Sequence, residues 1–150
     1  MRAVIQRVEK ASLEIDQKLH AAIGNGLLVL IGIIESDNQE DIEWLAGKIA
    51  RLRVFDDDQG VMNLCLDEIG GEILVVSQFT LHASTKKGNR PSYFKAANPE
   101  VAIPLYNEFI ATMKKQTKSE VKSGVFGAEM KIALVNDGPV TIIIDTKSKE

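Results

Sequence analysis

A short polar segment near the middle of the chain follows directly on an apolar run. Residues 73–76 are Ile, Leu, Val and Val, which predict a buried strand, and Ser77, Gln78, Phe79 and Thr80 come next. Hydroxyl and amide groups at the end of a strand can hold a polar substrate. A threonine hydroxyl is a poor nucleophile unless a base removes its proton, so covalent chemistry at Thr80 requires a partner.

The histidine nearest in sequence supplies one possible partner. His82 lies two residues after Thr80, and on a continuing strand the two side chains would share a face. The sequence has neither a Gly-x-Ser-x-Gly nucleophile elbow nor a His-Glu-x-x-His zinc motif. A small esterase that uses Thr80 activated by His82 is therefore one hypothesis, whereas a conventional triad hydrolase is poorly supported.

A second motif, Asn136-Asp137-Gly138-Pro139, lies between apolar runs at 132–135 and 140–144. Glycine tolerates backbone angles and close approaches that side chains forbid. Proline permits a cis peptide bond, but only about 5–6% of X-Pro bonds in folded proteins are cis. The sequence by itself therefore predicts a trans Gly138–Pro139 bond at a corner between two strands, near 130–135 and 140–145.

The composition limits the classes of function. The chain has 150 residues, a net charge of −3 and a single cysteine, so an internal disulfide or a cysteine metal cluster is excluded. The charge argues against strong non-specific binding of nucleic acid. Local contacts could still come from two cationic groups: Lys86, Lys87, Arg90 and Lys95, and Lys114, Lys115, Lys118 and Lys122. No segment resembles a signal peptide or a membrane span, so we expect a cytoplasmic protein with no membrane contact.

The periodicity of the chain indicates a mixed α/β fold. Alternating apolar residues predict a strand at 3–15, and continuous apolar runs predict buried strands at 27–34 and 72–79. Apolar residues at 42, 45, 49 and 52 predict a helix capped by Ser36 or Asp37. Asn98 and Pro99 open a second helix. Residues 56–60 predict a hairpin turn rather than a calcium loop. We expect about seven strands in a mixed, largely antiparallel β-sheet or barrel with two main helices packed against it, in a single domain of residues 1–150.

The two motifs together resemble the signature of the D-aminoacyl-tRNA deacylase family. Further familial segments occur at 51–55, 62–64, 87–92 and 124–130, so the resemblance covers nearly the whole chain. It implies a homodimeric enzyme without metal or cofactor that acts on the ester at the acceptor end of tRNA. Within the family, attack is attributed largely to assistance by the substrate's own 2′-hydroxyl, because a well-oriented ester needs little side-chain chemistry.

The resemblance also assigns roles to individual residues. It implies that Ser77, Gln78 and Thr80, our catalytic candidates, form a pocket wall with Phe79. It implies that a cis Gly138–Pro139 corner of one subunit enters the pocket of its partner, where backbone carbonyls bind the α-amino group and exclude an L side chain. Glycyl-tRNA would then escape exclusion. The remaining substrate-binding candidates are Asn136, Phe126 and Met130 in the pocket, Arg7 as a brace for the corner, and Ala102 at the pocket edge.

Three departures and two alternatives accompany this interpretation. His82 occupies a position where the family usually has tyrosine, Cys65 one where serine is common, and Tyr93 one where phenylalanine is frequent. Besides the Thr80-dependent esterase, the chain could be a tRNA-binding module without catalysis that uses the cations of residues 86–95. Such a module would bind uncharged tRNA in a salt-sensitive manner, because phosphate contacts dominate its affinity.

Overall fold

The computed structural model describes residues 1–150, which form eight strands, three α-helices and one 3₁₀ turn. The strands are β1 (Arg2–Ile15), β2 (Lys18–Ile23), β3 (Gly26–Gly32), β4 (Phe55–Asp56), β5 (Met62–Leu64), β6 (Glu72–Ser77), β7 (Glu120–Ser123) and β8 (Met130–Asp145). The helices are α1 (Gln39–Ala50), α2 (Leu66–Ile69) and α3 (Pro99–Gln116), and the 3₁₀ turn spans Phe79–His82. None of the helices is long and apolar enough to cross a membrane.

Strand β1 organises a six-stranded mixed sheet. One edge of β1 pairs antiparallel with β8 over most of its length, and the other edge pairs antiparallel with β3 and then β2. β3 pairs parallel with β6, and β6 pairs parallel with β7. β4 and β5 form a separate hairpin, as predicted for residues 56–60. The expected mixed, largely antiparallel sheet with two main helices is confirmed, although β7 carried no recognised sequence signal.

The main core lies between one face of the sheet and the helices α1 and α3. The alternate residues Val29 and Ile31 of β3 and Ile73 and Val75 of β6 share this face because side chains alternate along a strand. Each fully buried aliphatic side chain of this kind contributes about 1.5–3 kcal/mol. A smaller cluster on the opposite face includes Leu28, Leu74 and Val76 and adjoins the partly buried Met130 and Ile132.

The cap of α1 differs from the prediction of Ser36 or Asp37. Asn38 caps the helix, accepting hydrogen bonds from the amides of Glu40 and Asp41, and the Asp41 carboxylate accepts from the Asn38 amide. Asp37 instead turns inward, where its buried carboxylate accepts from the Met1 amine and the Ile34 amide. The sequence could not show which of Ser36, Asp37 and Asn38 caps the helix, since serine, aspartate and asparagine all can.

The Gly-Pro corner does not separate two strands. Residues 130–145 form the single strand β8, which keeps its direction throughout, so the two predicted strands are corrected to one. Gln6 of β1 pairs with Thr141 and Val8 with Asn136, so residues 137–140 stand opposite Arg7 alone. The corner is therefore a large bulge within one long strand. Bulges are a common means of projecting backbone from the edge of a sheet.

We expect the contact between β3 and β6 to be highly sensitive to side-chain volume at Gly26. A Cβ atom at Gly26 would lie 1.9 Å from the carbonyl oxygen of Glu72, a backbone atom that cannot move without separating the strands. Gly26→Ala should lower the free energy of unfolding by about 3 kcal/mol, at the upper end of overpacking costs. Gly24→Ala is the matched control, since its nearest neighbour would be 3.6 Å away. Equal urea midpoints for the two variants would contradict this account.

Candidate active site

A cleft of about 280 Å³ opens beside the end of β6. Its walls come from the strand end, from the loop that follows β7 and from the first residues of β8. The lining residues are Val76, Ser77, Gln78, Phe79, Phe126, Gly127, Ala128, Met130 and Ile132. The cleft is thus mainly apolar with two polar side chains on one wall, the composition typical of sites that bind small organic groups.

The end of β6 is fixed from behind by α3. The Tyr106 hydroxyl donates to the Val75 carbonyl oxygen at 3.0 Å, and burial raises the pKa of Tyr106 to about 12. The Tyr106 ring also packs against Phe126, with 5.9 Å between the ring centroids. One buried tyrosine therefore contacts both the strand that carries Ser77 and the aromatic residue on the opposite wall. A buried tyrosine hydroxyl usually has such a partner.

The sequence predicted that this strand extends to residue 79. In the structure it ends at Ser77, because the chain then enters the 3₁₀ turn. The Gln78 amide still donates to the Ile31 carbonyl at 2.7 Å, and the Leu81 amide donates to the Gln78 carbonyl at 3.3 Å. The bond from the Leu81 amide is the first hydrogen bond within the turn, and the backbone amides of Phe79 and Thr80 come before it. Because amides at the start of a helical turn have no carbonyl oxygen within the turn to bind, these two N–H groups have no partner inside it.

Thr80 and His82 do not form a catalytic pair in the structure. The Thr80 hydroxyl oxygen accepts a hydrogen bond from the Gln78 side-chain amide at 2.5 Å. The 3₁₀ turn places His82 in the interior, where its Nε2 atom has no hydrogen-bond partner. A hydroxyl without an adjacent base is not activated for attack.

His82 instead packs the turn onto β3. A Cβ atom at Gly32 would lie 2.9 Å from the imidazole ring and 3.0 Å from the Leu81 side chain, so the close approach requires glycine. Burial lowers the pKa of His82, and the nearby cations Arg2 and the Met1 amine act in the same direction, whereas the backbone of Gly32 and the Asp37 carboxylate oppose them. Arg2 also bonds the turn directly, donating from Nη1 to the Leu81 carbonyl at 2.8 Å.

The Gly138–Pro139 corner is held by two side chains. Arg7 donates from Nε to the Asp137 carbonyl at 3.0 Å and from Nη1 to the Val54 carbonyl at 2.7 Å. Asn136 donates from Nδ2 to the Arg7 carbonyl at 2.9 Å and to the Val140 carbonyl at 3.0 Å, which closes the base of the bulge.

The backbone of the corner is unusual. Gly138 has a φ of 132°, which side chains rarely adopt, and an added Cβ atom would lie 2.8 Å from Val140 and 3.1 Å from Arg7. The Gly138–Pro139 bond is cis, as the family resemblance implied and contrary to the general preference for trans. Asp137, Gly138 and Pro139 are all exposed. The corner therefore presents backbone to the exterior.

The predicted site residues fall into three groups. The cleft brings together Ser77, Gln78, Phe79, Phe126 and Met130. Arg7, Asn136, Gly138 and Pro139 form the corner and are not among the residues that line this chain's own cleft. Thr80 lies beside the cleft wall, and Ala102 is buried in the main core on the face of α3 that also carries Tyr106, Phe109 and Met113.

Sequence reasoning did not identify Tyr106 or Arg2 as parts of the site. The stripe of apolar residues in α3 predicted Tyr106 as a core residue. Its hydroxyl, which needs a hydrogen-bond partner when buried, was the only sign in the sequence that Tyr106 could also position another element. Arg2 lies at the start of β1, far in sequence from the turn that it bonds. A larger cavity of about 530 Å³, lined by Trp44, Ile143 and residues 148–150 among others, contains neither motif.

The fold defines a small α/β protein with a cleft at a strand end, and comparison with known proteins gives its family. The family model described as D-Tyr-tRNA(Tyr) deacylase matches residues 4–145. The protein belongs to this family. Its relatives include proteins named D-aminoacyl-tRNA deacylase from Parabacteroides distasonis, 63% identical, and Flavobacterium psychrophilum, 60% identical, each aligned over 100% of both chains.

Solved structures resemble the whole chain. One, named c-Myc DNA Unwinding Element Binding Protein, is 40% identical with a TM-score of 0.92, covering 97% of this chain and 99% of that one. Another, described as a probable eukaryotic D-amino acid tRNA deacylase, has a TM-score of 0.80 at 20% identity and covers 95% of this chain and 97% of that one. The second likeness supports the fold alone.

The burial of neutral His82 predicts a pH-dependent stability. Its pKa in the folded protein lies below the ordinary value of 6.5, so the unfolded chain binds the proton more readily. Keeping His82 neutral in the folded protein therefore has no cost above pH 6.5, where His82 is neutral in both states. As the pH falls below 6.5, the unfolded chain takes up the proton first, and the free energy of unfolding decreases. Between about pH 7.5 and about pH 5.5, the wild type should therefore lose more stability than His82→Gln in urea titrations. Parallel losses would show that His82 is not the group responsible.

Proposed function

We propose that the protein hydrolyses the ester of D-aminoacyl-tRNA to a free D-amino acid and tRNA, and that it rejects L-aminoacyl-tRNA. The observation that carries the proposal is the coexistence of the polar strand-end cleft and an exposed, braced Gly138–Pro139 corner in a chain of this family. Removing D-aminoacyl-tRNA is a proofreading step, and its substrate assigns the protein to the cytoplasm.

The cleft supplies position more than reactive groups. We assign the aminoacyl ester to the wall formed by Ser77, Gln78 and Phe79, with the amides of Phe79 and Thr80 donating to the developing oxyanion. Preorganised amides of this kind contribute several kcal/mol to transition-state stabilisation. Overall one water is consumed: its oxygen forms the new bond to the acyl carbon, the bond from that carbon to the ribose oxygen breaks, and the ribose oxygen takes up a proton of that water. The neighbouring 2′-hydroxyl of the terminal ribose assists the attack, since Thr80 has no base.

Chiral selection requires a second subunit in this proposal. The corner lies outside the cleft of its own chain, so we place the Gly138–Pro139 corner of one subunit in the cleft of its partner. Its carbonyl oxygens would bind the substrate's α-amino group and occupy the space of an L side chain. A selector made of backbone does not depend on the identity of the substrate side chain, so glycyl-tRNA would also be cleaved.

Exposed apolar residues on β8 support the homodimer. β8 pairs with β1 along one edge, and Leu134, Val135 and Ile143 remain between 37% and 67% exposed. Large apolar side chains on a long edge strand favour association with another chain. A C₂ dimer would place two corners opposite two clefts, since an isologous interface repeats each contact.

The alternative functions account for fewer observations. A Thr80-dependent esterase requires a base, but His82 is buried and the Thr80 hydroxyl has Gln78 as its hydrogen-bond partner. A tRNA-binding module without catalysis explains the cations of residues 86–95 but leaves the cleft and the glycine-dependent corner without a role. We therefore favour the deacylase.

Adding a single methyl group at Gly138 tests the role of the corner in catalysis and chiral selection. Gly138→Ala forces a side chain into a φ of 132° and toward Arg7, so it should displace the carbonyls. We expect the wild type to hydrolyse D-tyrosyl-tRNA and to spare L-tyrosyl-tRNA, and the variant to lose at least about 100-fold in kcat/KM on the D ester, as misplacement by about 1 Å can cause. Gly60→Ala is the matched control, because Gly60 also has a positive φ, 74°, but lies in an exposed turn and does not line the cleft.

Two outcomes would contradict this use of the corner. Unchanged D-specific hydrolysis by Gly138→Ala would remove the corner from chiral selection. A wild type that hydrolyses neither ester but binds uncharged tRNA would favour the binding module. Measuring thermal unfolding of both variants separates a local effect on the corner from loss of the fold.

Replacing the Thr80 hydroxyl separates the two enzymatic hypotheses. Thr80→Val preserves the shape of the side chain and removes the hydroxyl that accepts from Gln78. We expect single-turnover hydrolysis of D-tyrosyl-tRNA to fall by no more than about tenfold, the value of one or two hydrogen bonds. Loss of about 10³-fold or more, with activity retained in Thr80→Ser, would identify Thr80 as a nucleophile.

A further inference from the structure

Two aromatic rings are exposed beside the cleft. Phe94 is 75% exposed and Tyr93 39% exposed, and the Tyr93 ring meets the Phe79 ring edge-on with 5.0 Å between the centroids. Phe79 is itself a wall of the cleft, so Tyr93 stands at its rim, and the exposed Phe94 follows Tyr93 directly in the chain. Contiguous exposed apolar side chains on a folded surface mark an interaction site.

The same segment carries concentrated positive charge. Residues 81–97 contain Lys86, Lys87, Arg90 and Lys95 and no acidic residue, although the whole chain has a net charge of −3. None of the ion pairs in the structure involves these four cations. The Lys95 ammonium lies 6.0 Å from the centroid of the Phe94 ring. Aromatic rings and cations without ion-pair partners therefore occur together in one chain segment, and Lys95 and Phe94 are in contact within it.

Backbone hydrogen bonds hold this surface in place. Ser84 and Ser92 exchange two hydrogen bonds of 2.7 and 2.9 Å, which close the base of the cationic loop. The Ala96 amide donates to the Tyr93 carbonyl at 3.0 Å, and the Ala97 amide anchors the segment to the Ile33 carbonyl at 2.9 Å. A surface that is already ordered loses less entropy when it binds a ligand.

We propose that Tyr93, Phe94 and the four cations bind the single-stranded nucleotides that precede the esterified terminal nucleotide of tRNA, with Phe94 stacking on a base. This inference rests on the proposed function, which places the terminal ribose in the cleft and so brings the adjoining nucleotides to its rim. Aromatic rings that stack on bases, set among cations that follow the phosphates, are the common means of binding single strands without sequence preference. The absence of acidic residues from residues 81–97 suits a ligand that carries phosphates, and a protein partner would not require it.

The proposal is tested by comparing a complete substrate with a minimal one. Phe94→Ser should lower kcat/KM for D-tyrosyl-tRNA by about tenfold, mainly by raising KM. A loss of about tenfold is within the range measured when one base loses its stacking partner. Hydrolysis of D-tyrosyl-adenosine, which lacks the preceding nucleotides, should remain within about twofold of the wild type, because the cleft is untouched. Leu19→Ser is the matched control: Leu19 is 66% exposed on β2, and its substitution should affect neither substrate.

A binding measurement separates this inference from the deacylase proposal. An uncharged RNA minihelix with a single-stranded 3′-CCA end should bind the wild type more tightly than the same helix without that end. Phe94→Ser should abolish the difference, and Lys86→Gln with Lys87→Gln should reduce the slope of log affinity against log salt by about 1.4, at about 0.7 per phosphate contact on a single strand.

The outcomes are distinct. Failure of the wild type to hydrolyse either ester would refute the deacylase proposal, whereas the minihelix still reports on the aromatic surface. The inference is overturned by an unchanged kcat/KM of Phe94→Ser on tRNA, by equal losses on tRNA and on D-tyrosyl-adenosine, or by equal binding of the two minihelices. It is also overturned if Phe94→Ser changes the oligomeric state in sedimentation, since Phe94 would then be covered by a second copy of the chain.

Discussion

The buried guanidinium of Arg7 joins the parts of the molecule that the proposed site requires. It extends from the centre of β1, donates to the carbonyl of Asp137 in the bulge of β8, and donates to the carbonyl of Val54 before the β4–β5 hairpin. Hydrogen bonds to a charged group contribute about 1.5–3 kcal/mol each, and a buried guanidinium without them would be strongly destabilising. The shape of the bulge is thereby tied to the stability of the sheet. A corner that presents its backbone to the exterior can stay rigid because its base is fixed from within.

The cleft wall is held by a comparable set of buried polar contacts. Tyr106 bonds the end of β6, Arg2 bonds the 3₁₀ turn, and His82 packs that turn against the bare backbone of Gly32. None of these three side chains lines the cleft. Positioning groups of this kind suit a reaction that depends on orientation, because a displacement of about 1 Å costs more than the loss of one contact. The architecture is consistent with the proposed reliance on the substrate's own hydroxyl.

The two halves of the proposed site lie apart within one chain. The cleft is built at the end of β6, and the corner projects from β8 without entering that cleft. An isologous dimer would unite them, and the exposed apolar residues of β8 offer the surface for it. In the proposed arrangement chirality is read by backbone atoms, which are the same for every substrate side chain. Specificity for the hand of the amino acid then needs no specificity for its identity.

The sequence by itself determined the elements with strong local signals: the alternation in β1, the apolar stripes of the helices, the Asn98–Pro99 start of α3 and the acidic hairpin turn. Resemblance in two motifs also determined the family. Tertiary structure alone decided that residues 130–145 are one strand, because a bulge is defined by the strand opposite it, and Gly-Pro by itself also suits a turn. It likewise decided that Asn38 caps α1 while Asp37 faces the core, that the chain turns inward after Ser77, and that His82 is buried while the Thr80 hydroxyl pairs with Gln78. These outcomes depend on long-range contacts with Met1, Arg2 and Gly32, which no local pattern encodes.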